Sequence, residues 1–234
     1  MLCLFDVDGT LTPSRGKIDP EFKHWLWYEF KHPFRLITGS DPVKTQEQIG
    51  MDFWNDCYVY NCAGNHVFDH GAEVYCSAWR LPEDLEWILN ARLFASAWMI
   101  RTGNHIEHRT GLCNFSIVGR GATPEQRKMY YTWDCVTQER EILAKQINMI
   151  WGSTVEATVA GETGIDIYAR GTGKDQVLPQ LAAQAPIHFF GDRQDSAGND
   201  YQLAQAILTN NLGKCYHVKD WQHTWTLLKA LNDN

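Results

Sequence analysis

The sequence predicts an α/β protein in which a doubly wound parallel sheet carries an inserted α+β cap domain. Three observations lead to this fold class. Short apolar runs alternate with capped helices at both ends of the chain, the middle contains a hairpin, and polar residues directly follow the apolar runs. We expect the sheet domain at residues 1–81 and 172–234, with the cap at 82–171 between its two parts.

The first part of the sheet domain alternates strand and helix. An uninterrupted apolar run is typical of a parallel strand buried on both faces, and aspartate followed by proline is a common helix start. The predicted elements are a strand at Leu2–Phe5, a helix at Asp19–Lys31, a strand at Phe34–Ile37 and a helix from Asp41 to about Ile49.

The middle of the chain has an antiparallel character. Thr110-Gly111 joins two strand-like runs as a hairpin turn, and Thr123-Pro-Glu-Gln126 is a capping-box pattern. The predicted elements are strands at His105–Arg109, Leu112–Val118, Thr154–Val159 and Gly164–Ala169, a helix from Thr123 and helical spacing at Val136–Ile150.

The alternating pattern returns in the last part of the chain. The predicted elements are a helix after Lys174, a strand at Ile187–Phe190, a helix at Tyr201–Leu208, a strand at Cys215–Val218 and a closing helix from about Gln222. This return to strand and helix predicts that the sheet domain is discontinuous in sequence.

Composition excludes several classes of protein. Apolar residues make up 44% and charged residues 21% of the 234 residues, as in ordinary globular domains. A net charge of −7 argues against a nucleic-acid partner. The chain has seven scattered cysteines without a C-x-x-C pair, and no run near the ~20 apolar residues of a membrane helix. We expect a cytoplasmic protein with reduced thiols and no membrane partner.

The motif Asp6-Val-Asp8-Gly-Thr-Leu-Thr follows the first strand. Ligands bind beyond the carboxyl ends of strands in open α/β sheets, so both carboxylates fall where a site is expected. Their repulsion is relieved by a hard cation such as Mg²⁺. Asp6 can then attack a phosphoryl group and Asp8 can protonate the leaving oxygen. An isolated D-x-D is more often a turn, and it also occurs as a metal site in some nucleotide-sugar glycosyltransferases.

Other polar residues at predicted strand and helix ends complete a site for phosphoryl transfer. Thr38 and Ser40 can donate hydroxyl groups to a phosphate, and Lys174 can neutralise an aspartyl phosphate. Asp192 offers a further carboxylate to a metal ion. The predicted catalytic set is Asp6, Asp8, Thr38, Ser40 and Lys174, and the predicted metal set is Asp6, Asp8, Asp192, Asn199 and Asp200.

Five segments resemble, in order, the signatures of the eukaryotic-type phosphomannomutases of the haloacid dehalogenase (HAD) superfamily. They are FDVDGTLTPSR, GSDPVKTQEQIG, RTGLCNFSIVGR, GIDIYARGTGK and FFGDRQDSAGNDY. The resemblance implies an HAD-like (Rossmannoid) core and interconversion of mannose 6-phosphate and mannose 1-phosphate through an aspartyl phosphate at Asp6. It also implies Mg²⁺, a sugar 1,6-bisphosphate as activator and intermediate, and a homodimer formed through the cap.

The resemblance further assigns residues to the phosphosugar. Those matching the family's substrate positions are Arg15, Arg109, Asn114, Arg120, Arg127, Gly164 and Asp166. Independently of the family, arginines at the ends of a hairpin and in the first turn of a helix are a plausible anion site.

Departures from the family pattern keep other functions open. Gly164 replaces a serine, Gly171-Thr-Gly-Lys174 replaces Gly-Trp-Asp-Lys, and Ala204–Asn210 lacks the acidic residue of a second, structural cation, which we therefore do not predict. A phosphosugar phosphatase of the same superfamily would share every core residue. A phosphosugar-binding protein is the third alternative, although it would not need both Asp6 and Asp8.

Overall fold

The structure, a computed structural model, describes residues 1–184, 186–196 and 198–233. The strands are β1 (Leu2–Phe5), β2 (Phe34–Ile37), β3 (Tyr58–Asn61), β4 (His66–Asp69), β5 (Ala72–Cys76), β6 (Ile106–Arg109), β7 (Leu112–Phe115), β8 (Val155–Ala160), β9 (Gly164–Ala169), β10 (Ile187–Gly191) and β11 (Gly213–His217). The helices are α1 (Pro20–Tyr28), α2 (Pro42–Ile49), α3 (Met51–Asn55), α4 (Glu83–Ala95), α5 (Pro124–Thr137), α6 (Glu139–Trp151), α7 (Leu178–Leu181), α8 (Tyr201–Thr209) and α9 (Trp221–Asn232). None of the described helices is long and apolar enough to cross a membrane.

Residue contacts divide the described chain into two compact units. The core unit is built from Met1–Cys76, Thr172–Ser196 and the residues from Asp200 onward. The cap unit is built mainly from Ser77–Gly171. The main part of the cap unit is therefore inserted between two parts of the core unit.

The core unit contains a seven-stranded sheet with the order β11-β10-β1-β2-β3-β4-β5. The pairs from β11 to β3 are parallel, whereas β4 and β5 extend the sheet by antiparallel pairing. β1 lies in the interior of this sheet, between β10 and β2. The predicted doubly wound α/β fold class is confirmed.

β1 is buried on both faces of the sheet. Cys3 and Phe5 pack into one apolar cluster, whereas Leu2 and Leu4 pack into another. Because successive side chains of a strand point to opposite faces, the continuous apolar sequence of β1 requires a helical layer on each side. The strand is thereby fixed, together with the residues that follow it.

The helices of the core unit begin at the caps that the sequence predicts. The Asp19 carboxylate accepts hydrogen bonds from the backbone N–H groups of Glu21 and Phe22, and Asp41 accepts one from Lys44. These bonds satisfy donors that the first turn of a helix leaves unpaired.

The cap unit packs helices α4, α5 and α6 with an antiparallel sheet of order β6-β7-β9-β8. α5 starts with the predicted capping box between Thr123 and Gln126. The helical spacing predicted from Val136 is divided between α5 and α6, because Gln138 has a left-handed backbone conformation (φ 54°) that ends α5.

Several predicted element limits are wrong. α1 ends at Tyr28 instead of Lys31, because the backbone N–H of Lys31 donates to the Asn232 side chain instead of continuing the helix. β7 ends at Phe115 instead of Val118. The strands β3, β4 and β5 were not predicted, although they form one side of the core sheet.

We predict that Gly119→Ala destabilises the cap unit more than Gly171→Ala. Both glycines have a left-handed backbone (φ 84° and 77°), which costs an alanine about 1–2 kcal/mol. A Cβ atom at Gly119 would also overlap the carbonyl oxygen of Thr102, whereas nothing lies within 4 Å of one at Gly171.

Denaturant unfolding of the two variants measures this difference. The free energy of unfolding should fall by at least about 1 kcal/mol more in Gly119→Ala, the lower end of a typical overpacking cost. Equal losses in both variants would show that the segment at Thr102 moves aside.

Candidate active site

The first acidic motif lies at the carboxyl end of β1 in a tight loop. The backbone N–H of Asp6 donates to the carbonyl of Phe190 on the neighbouring strand β10. The carbonyl of Val7 then accepts hydrogen bonds from the backbone N–H groups of Leu11 and Thr12. The sheet and the loop together fix the Asp6 carboxylate, which is only 5% exposed, at the edge of the sheet.

Lys174 joins two buried carboxylates. Its Nζ atom lies 2.5 Å from Oδ1 of Asp6 and 2.6 Å from Oδ1 of Asp200. Lys174 is 3% exposed and Asp200 is fully buried. The site therefore contains a charged network from three distant parts of the chain, shielded from solvent.

Asp192 adds a third carboxylate just after β10. Carboxylate oxygens of Asp6, Asp192 and Asp200 lie within 4.8 Å of one another. Asp192 packs against the backbone of Gly9, where an added Cβ atom would lie 2.5 Å from its Oδ2 atom. With φ at 79°, Gly9 also needs the left-handed freedom of glycine. The absence of a side chain at Gly9 thus leaves room for the Asp192 carboxylate.

The electrostatics of this cluster favour a cation. Burial raises the pKa of Asp6 well above its ordinary value, although Lys174 opposes the shift. Burial, with Asp200 as a further cause, raises the pKa of Asp192 to about 7. For Lys174, burial alone would lower the pKa, but Asp200 and Asp6 raise it overall. One ammonium group cannot neutralise three carboxylates, two of them buried, and this all-oxygen donor set suits a hard divalent ion.

Asp8 is held by three donors from elsewhere in the core unit. Its Oδ1 atom accepts hydrogen bonds from the backbone N–H of Arg15 at 2.6 Å and from Nε2 of Gln48 at 2.8 Å. The hydroxyl of Ser40 lies 3.4 Å from its Oδ2 atom. These contacts orient the Asp8 carboxylate separately from the carboxylate cluster. Arg15 contributes here through its backbone, in a left-handed conformation (φ 57°).

Three further predicted site residues lie in loops. Thr38 and Ser40 follow the carboxyl end of β2, and Asn199 lies just before α8. Thr38 is buried, and its Oγ1 atom accepts a hydrogen bond from the backbone N–H of Ser40 at 3.1 Å. Asn199 is half-buried beside Asp200, and its place in a metal site stays a prediction.

The cap unit brings two predicted arginines together on one carboxylate. The guanidinium of Arg109, at the end of β6, lies 2.7 Å from Glu107 Oε1, and the guanidinium of Arg120 pairs with Glu107 Oε2. Two positive groups thus share one negative partner, and the pair of guanidinium forks is a geometry suited to an oxyanion.

Asn114 connects this arginine pair to Asp166. Asn114 and Asp166 face each other across β7 and β9, and the Asn114 amide donates to Asp166 Oδ1 at 2.7 Å. Arg120 Nη1 lies 3.4 Å from Asn114 Oδ1. A Cβ atom at Gly164 would lie 2.5 Å from the Asn114 amide nitrogen, so a larger residue would displace this side chain.

Arg127 lies in the first turn of α5 and pairs with Glu162 at 3.4 Å. The cap residues predicted to bind substrate therefore lie in one unit. Their arginine side chains and the Asn114 amide contact carboxylates of the same unit. Such a network can bind an anionic group through the arginines and hydroxyl groups through Asp166.

Sequence reasoning missed three residues of these networks. Glu107 and Arg109 lie two positions apart on β6 and therefore share a face, so this pairing was detectable. Gln48 and Glu162 gave no local signal, because their partners Asp8 and Arg127 are reached only through the folded chain.

The fold is the predicted HAD-like one. Solved structures with this fold include a trehalose-6-phosphate phosphatase related protein, at 17% identity and a TM-score of 0.60 over 100% of this chain and 97% of that chain. The C-terminal domain of the C. albicans trehalose-6-phosphate phosphatase matches at 15% identity and a TM-score of 0.65, over 99% and 91% of the two chains.

Sequence comparison narrows this class to one family. Residues 29–231 match the eukaryotic phosphomannomutase family. The phosphomannomutase of Spinacia oleracea is 32% identical over 87% of this chain and 86% of its own length. That of Schizosaccharomyces pombe is 31% identical over 86% and 84%. The chain belongs to the eukaryotic phosphomannomutase family.

We predict that Gln48→Leu lowers the turnover of a phosphosugar by at least about tenfold, because Asp8 loses a charge-assisted hydrogen bond of about 1.5–3 kcal/mol. Metal affinity should stay unchanged, because Gln48 contacts the Asp8 carboxylate, which is not part of the cluster of Asp6, Asp192 and Asp200. Steady-state kinetics and metal titration measure the two quantities.

Gln46→Leu, the same substitution on the same helix, is the matched control and should retain turnover. Loss of metal affinity in Gln48→Leu, or equal turnover in both variants, would contradict a positioning role for Gln48.

Proposed function

We propose that this chain is a phosphomannomutase that interconverts mannose 6-phosphate and mannose 1-phosphate. The observation that most supports it is the buried pairing of Asp6 with Lys174 in a chain of the eukaryotic phosphomannomutase family. The networks around Asp8 and in the cap unit add the further groups that such a reaction requires.

Asp6 is the proposed nucleophile. In its phosphorylated form, Asp6 gives its phosphoryl group to the 6-hydroxyl of mannose 1-phosphate: Asp8 removes the proton of that hydroxyl, the oxygen attacks the phosphorus, and the bond from the phosphorus to the Asp6 carboxylate breaks. The product is a sugar 1,6-bisphosphate. In the second step the Asp6 carboxylate attacks the phosphorus at the 1-position, the P–O bond to the sugar breaks, and Asp8 returns the proton to the departing sugar oxygen, which releases mannose 6-phosphate and restores the aspartyl phosphate. A sugar 1,6-bisphosphate also primes the enzyme as activator by phosphorylating Asp6.

The proposed metal site comprises Asp6, Asp192, Asn199, Asp200 and the backbone carbonyl of Asp8, and the proposed ion is Mg²⁺. When bound, the ion would withdraw charge from the phosphoryl oxygens. Lys174 balances the charge of Asp6 before and after transfer, and the hydroxyl groups of Thr38 and Ser40 donate to the transferred phosphate.

The cap unit supplies the proposed site for the phosphate that is not reacting. Arg109, Arg120, Arg127 and Asn114 hold this phosphate, while Asp166 binds sugar hydroxyls in the space left by Gly164. In the core unit, Arg15 contacts the sugar phosphate. A mutase must retain one phosphate while it transfers the other, and several guanidinium groups meet this demand.

A homodimer formed through the cap unit is part of the same proposal. Apolar side chains of α4 support it, because Trp87 and Phe94 are 71% and 79% exposed. We place the enzyme in the cytoplasm.

A phosphosugar phosphatase is the second candidate. It is favoured by the fold, which the chain shares with trehalose-6-phosphate phosphatases. The same aspartyl phosphate chemistry would end with attack by water instead of by a sugar hydroxyl.

We predict that mannose 1-phosphate with Mg²⁺ is converted to mannose 6-phosphate, faster when glucose 1,6-bisphosphate is added. Phosphorus NMR measures both products. Asp6→Asn should abolish turnover, because an amide oxygen cannot replace the nucleophilic carboxylate. Asp233→Asn, the same change at an exposed position, should leave turnover intact.

Free phosphate as the main product, without the isomer, would overturn the mutase and establish the phosphatase. Substrate binding with no turnover of either kind by the unaltered protein would establish a binding protein instead.

We also predict that Arg120→Ala raises the KM for mannose 1-phosphate about 10- to 100-fold, the worth of a hydrogen bond to a charged group of about 1.5–3 kcal/mol. Arg92→Ala, at an exposed arginine of α4, is the control and should leave KM unchanged. An unchanged KM in Arg120→Ala would exclude this residue from phosphate binding.

A further inference from the structure

The β4–β5 hairpin at the edge of the core sheet gathers three potential metal ligands that the proposed reaction does not use. His66 begins β4, and Cys76, which ends β5, is its direct partner across the antiparallel pair. Directly opposed residues of such a pair point to the same face of the sheet. His66 and Cys76 therefore share one face.

A β-bulge adds Glu73 to this face. The pairing shifts between Val67 and Phe68, so that Glu73 lies opposite Phe68 and Val74 is the extra residue. Phe68 lies two residues from His66 on β4 and hence on the same face. Without the bulge, Glu73 and Cys76 would point to opposite faces, because they are three residues apart.

The three side chains converge within coordination range. Nε2 of His66 lies 2.6 Å from Oε2 of Glu73, and one ligand atom each from His66, Glu73 and Cys76 lies within 4.8 Å of the others. The imidazole is half-buried and packs against the Phe68 ring at 4.6 Å. Glu73 and the free thiol of Cys76 are exposed and accessible to an ion.

We propose that His66, Glu73 and Cys76 bind a borderline-soft divalent cation of the Zn²⁺ type. Imidazole nitrogen and thiolate sulfur are ligands that Zn²⁺ prefers, whereas Mg²⁺ prefers oxygen. Water completes a tetrahedral coordination, as in other zinc sites with three protein ligands. The site is chemically distinct from the all-oxygen cluster of Asp6, Asp192 and Asp200, and Mg²⁺ does not compete for it.

The second nitrogen of His66 limits the affinity. Nδ1 is buried and has no hydrogen-bond partner within the described part of the chain. Zinc-bound imidazoles usually donate this N–H to a carboxylate or carbonyl, and loss of such a partner costs 10- to 100-fold in affinity. We therefore expect a reversible site, weaker by about that factor than a zinc site that has this partner.

Metal binding at His66, Glu73 and Cys76 would stabilise β5, the strand at the edge of the core sheet. All five residues of β5 are exposed, and β5 ends the strand order of the sheet among the described residues. A cation joining His66 to Glu73 and Cys76 would cross-link β4 and β5 beside the point at which the chain leaves the core unit. Hydrogen exchange of the β5 backbone should slow when the cation binds.

Titration of the whole protein with Co²⁺, in excess Mg²⁺ and a reductant without thiols, tests this site. We expect a thiolate-to-cobalt charge-transfer band that saturates at one equivalent and disappears when Zn²⁺ is added. Cys76→Ser should abolish the band and Glu73→Gln should weaken Co²⁺ binding at least tenfold. Cys135→Ser, at another exposed cysteine, should retain the band.

Both Cys76 and Glu73 are exposed, so these variants keep the fold. No charge-transfer band in the unaltered protein, or a band that persists in Cys76→Ser, would overturn the proposal. An unchanged Co²⁺ affinity in Glu73→Gln would also overturn it, leaving His66 and Glu73 as a surface ion pair. The charge-transfer band is measured without phosphosugar turnover. Failure of the metal-site proposal would therefore leave the proposed function unaffected, and the reverse also holds.

Discussion

The buried ammonium group of Lys174, between Asp6 and Asp200, is the interaction on which the core unit depends. Moving these charges out of water costs several kcal/mol per ion, and only close, complete pairing offsets that cost. The three residues belong to different segments, with 168 positions between Asp6 and Lys174. The Asp6 carboxylate is therefore correctly surrounded only when these separate segments of the core unit have come together.

The two units use opposite electrostatic arrangements. The core unit concentrates carboxylates around one lysine, which suits a cation and a group that transfers phosphate. The cap unit concentrates arginines around Glu107 and Glu162, which suits an anion that is held without reacting.

Much of the site followed from the sequence, because strand ends and motif residues coincide. The carboxylates that follow β1 and β10 meet since these strands are parallel neighbours, a consequence of topology. The strand β5 escaped prediction, since it is exposed throughout and shows no alternation of burial. The left-handed Gln138 between α5 and α6 had no glycine to mark it. Gln48 could not be assigned, because only the tertiary fold brings it to Asp8.

The insertion of Ser77–Gly171 between two parts of the core unit also has a consequence for synthesis on the ribosome. The contacts of the cap unit are largely confined to Ser77–Gly171, whereas β1 must wait for β10, which emerges later. Nascent domains generally fold as contiguous units, so here the insert can become compact before the segment that precedes it. Until then the Asp6 carboxylate stays hydrated, and the carboxylate cluster forms later than the insert.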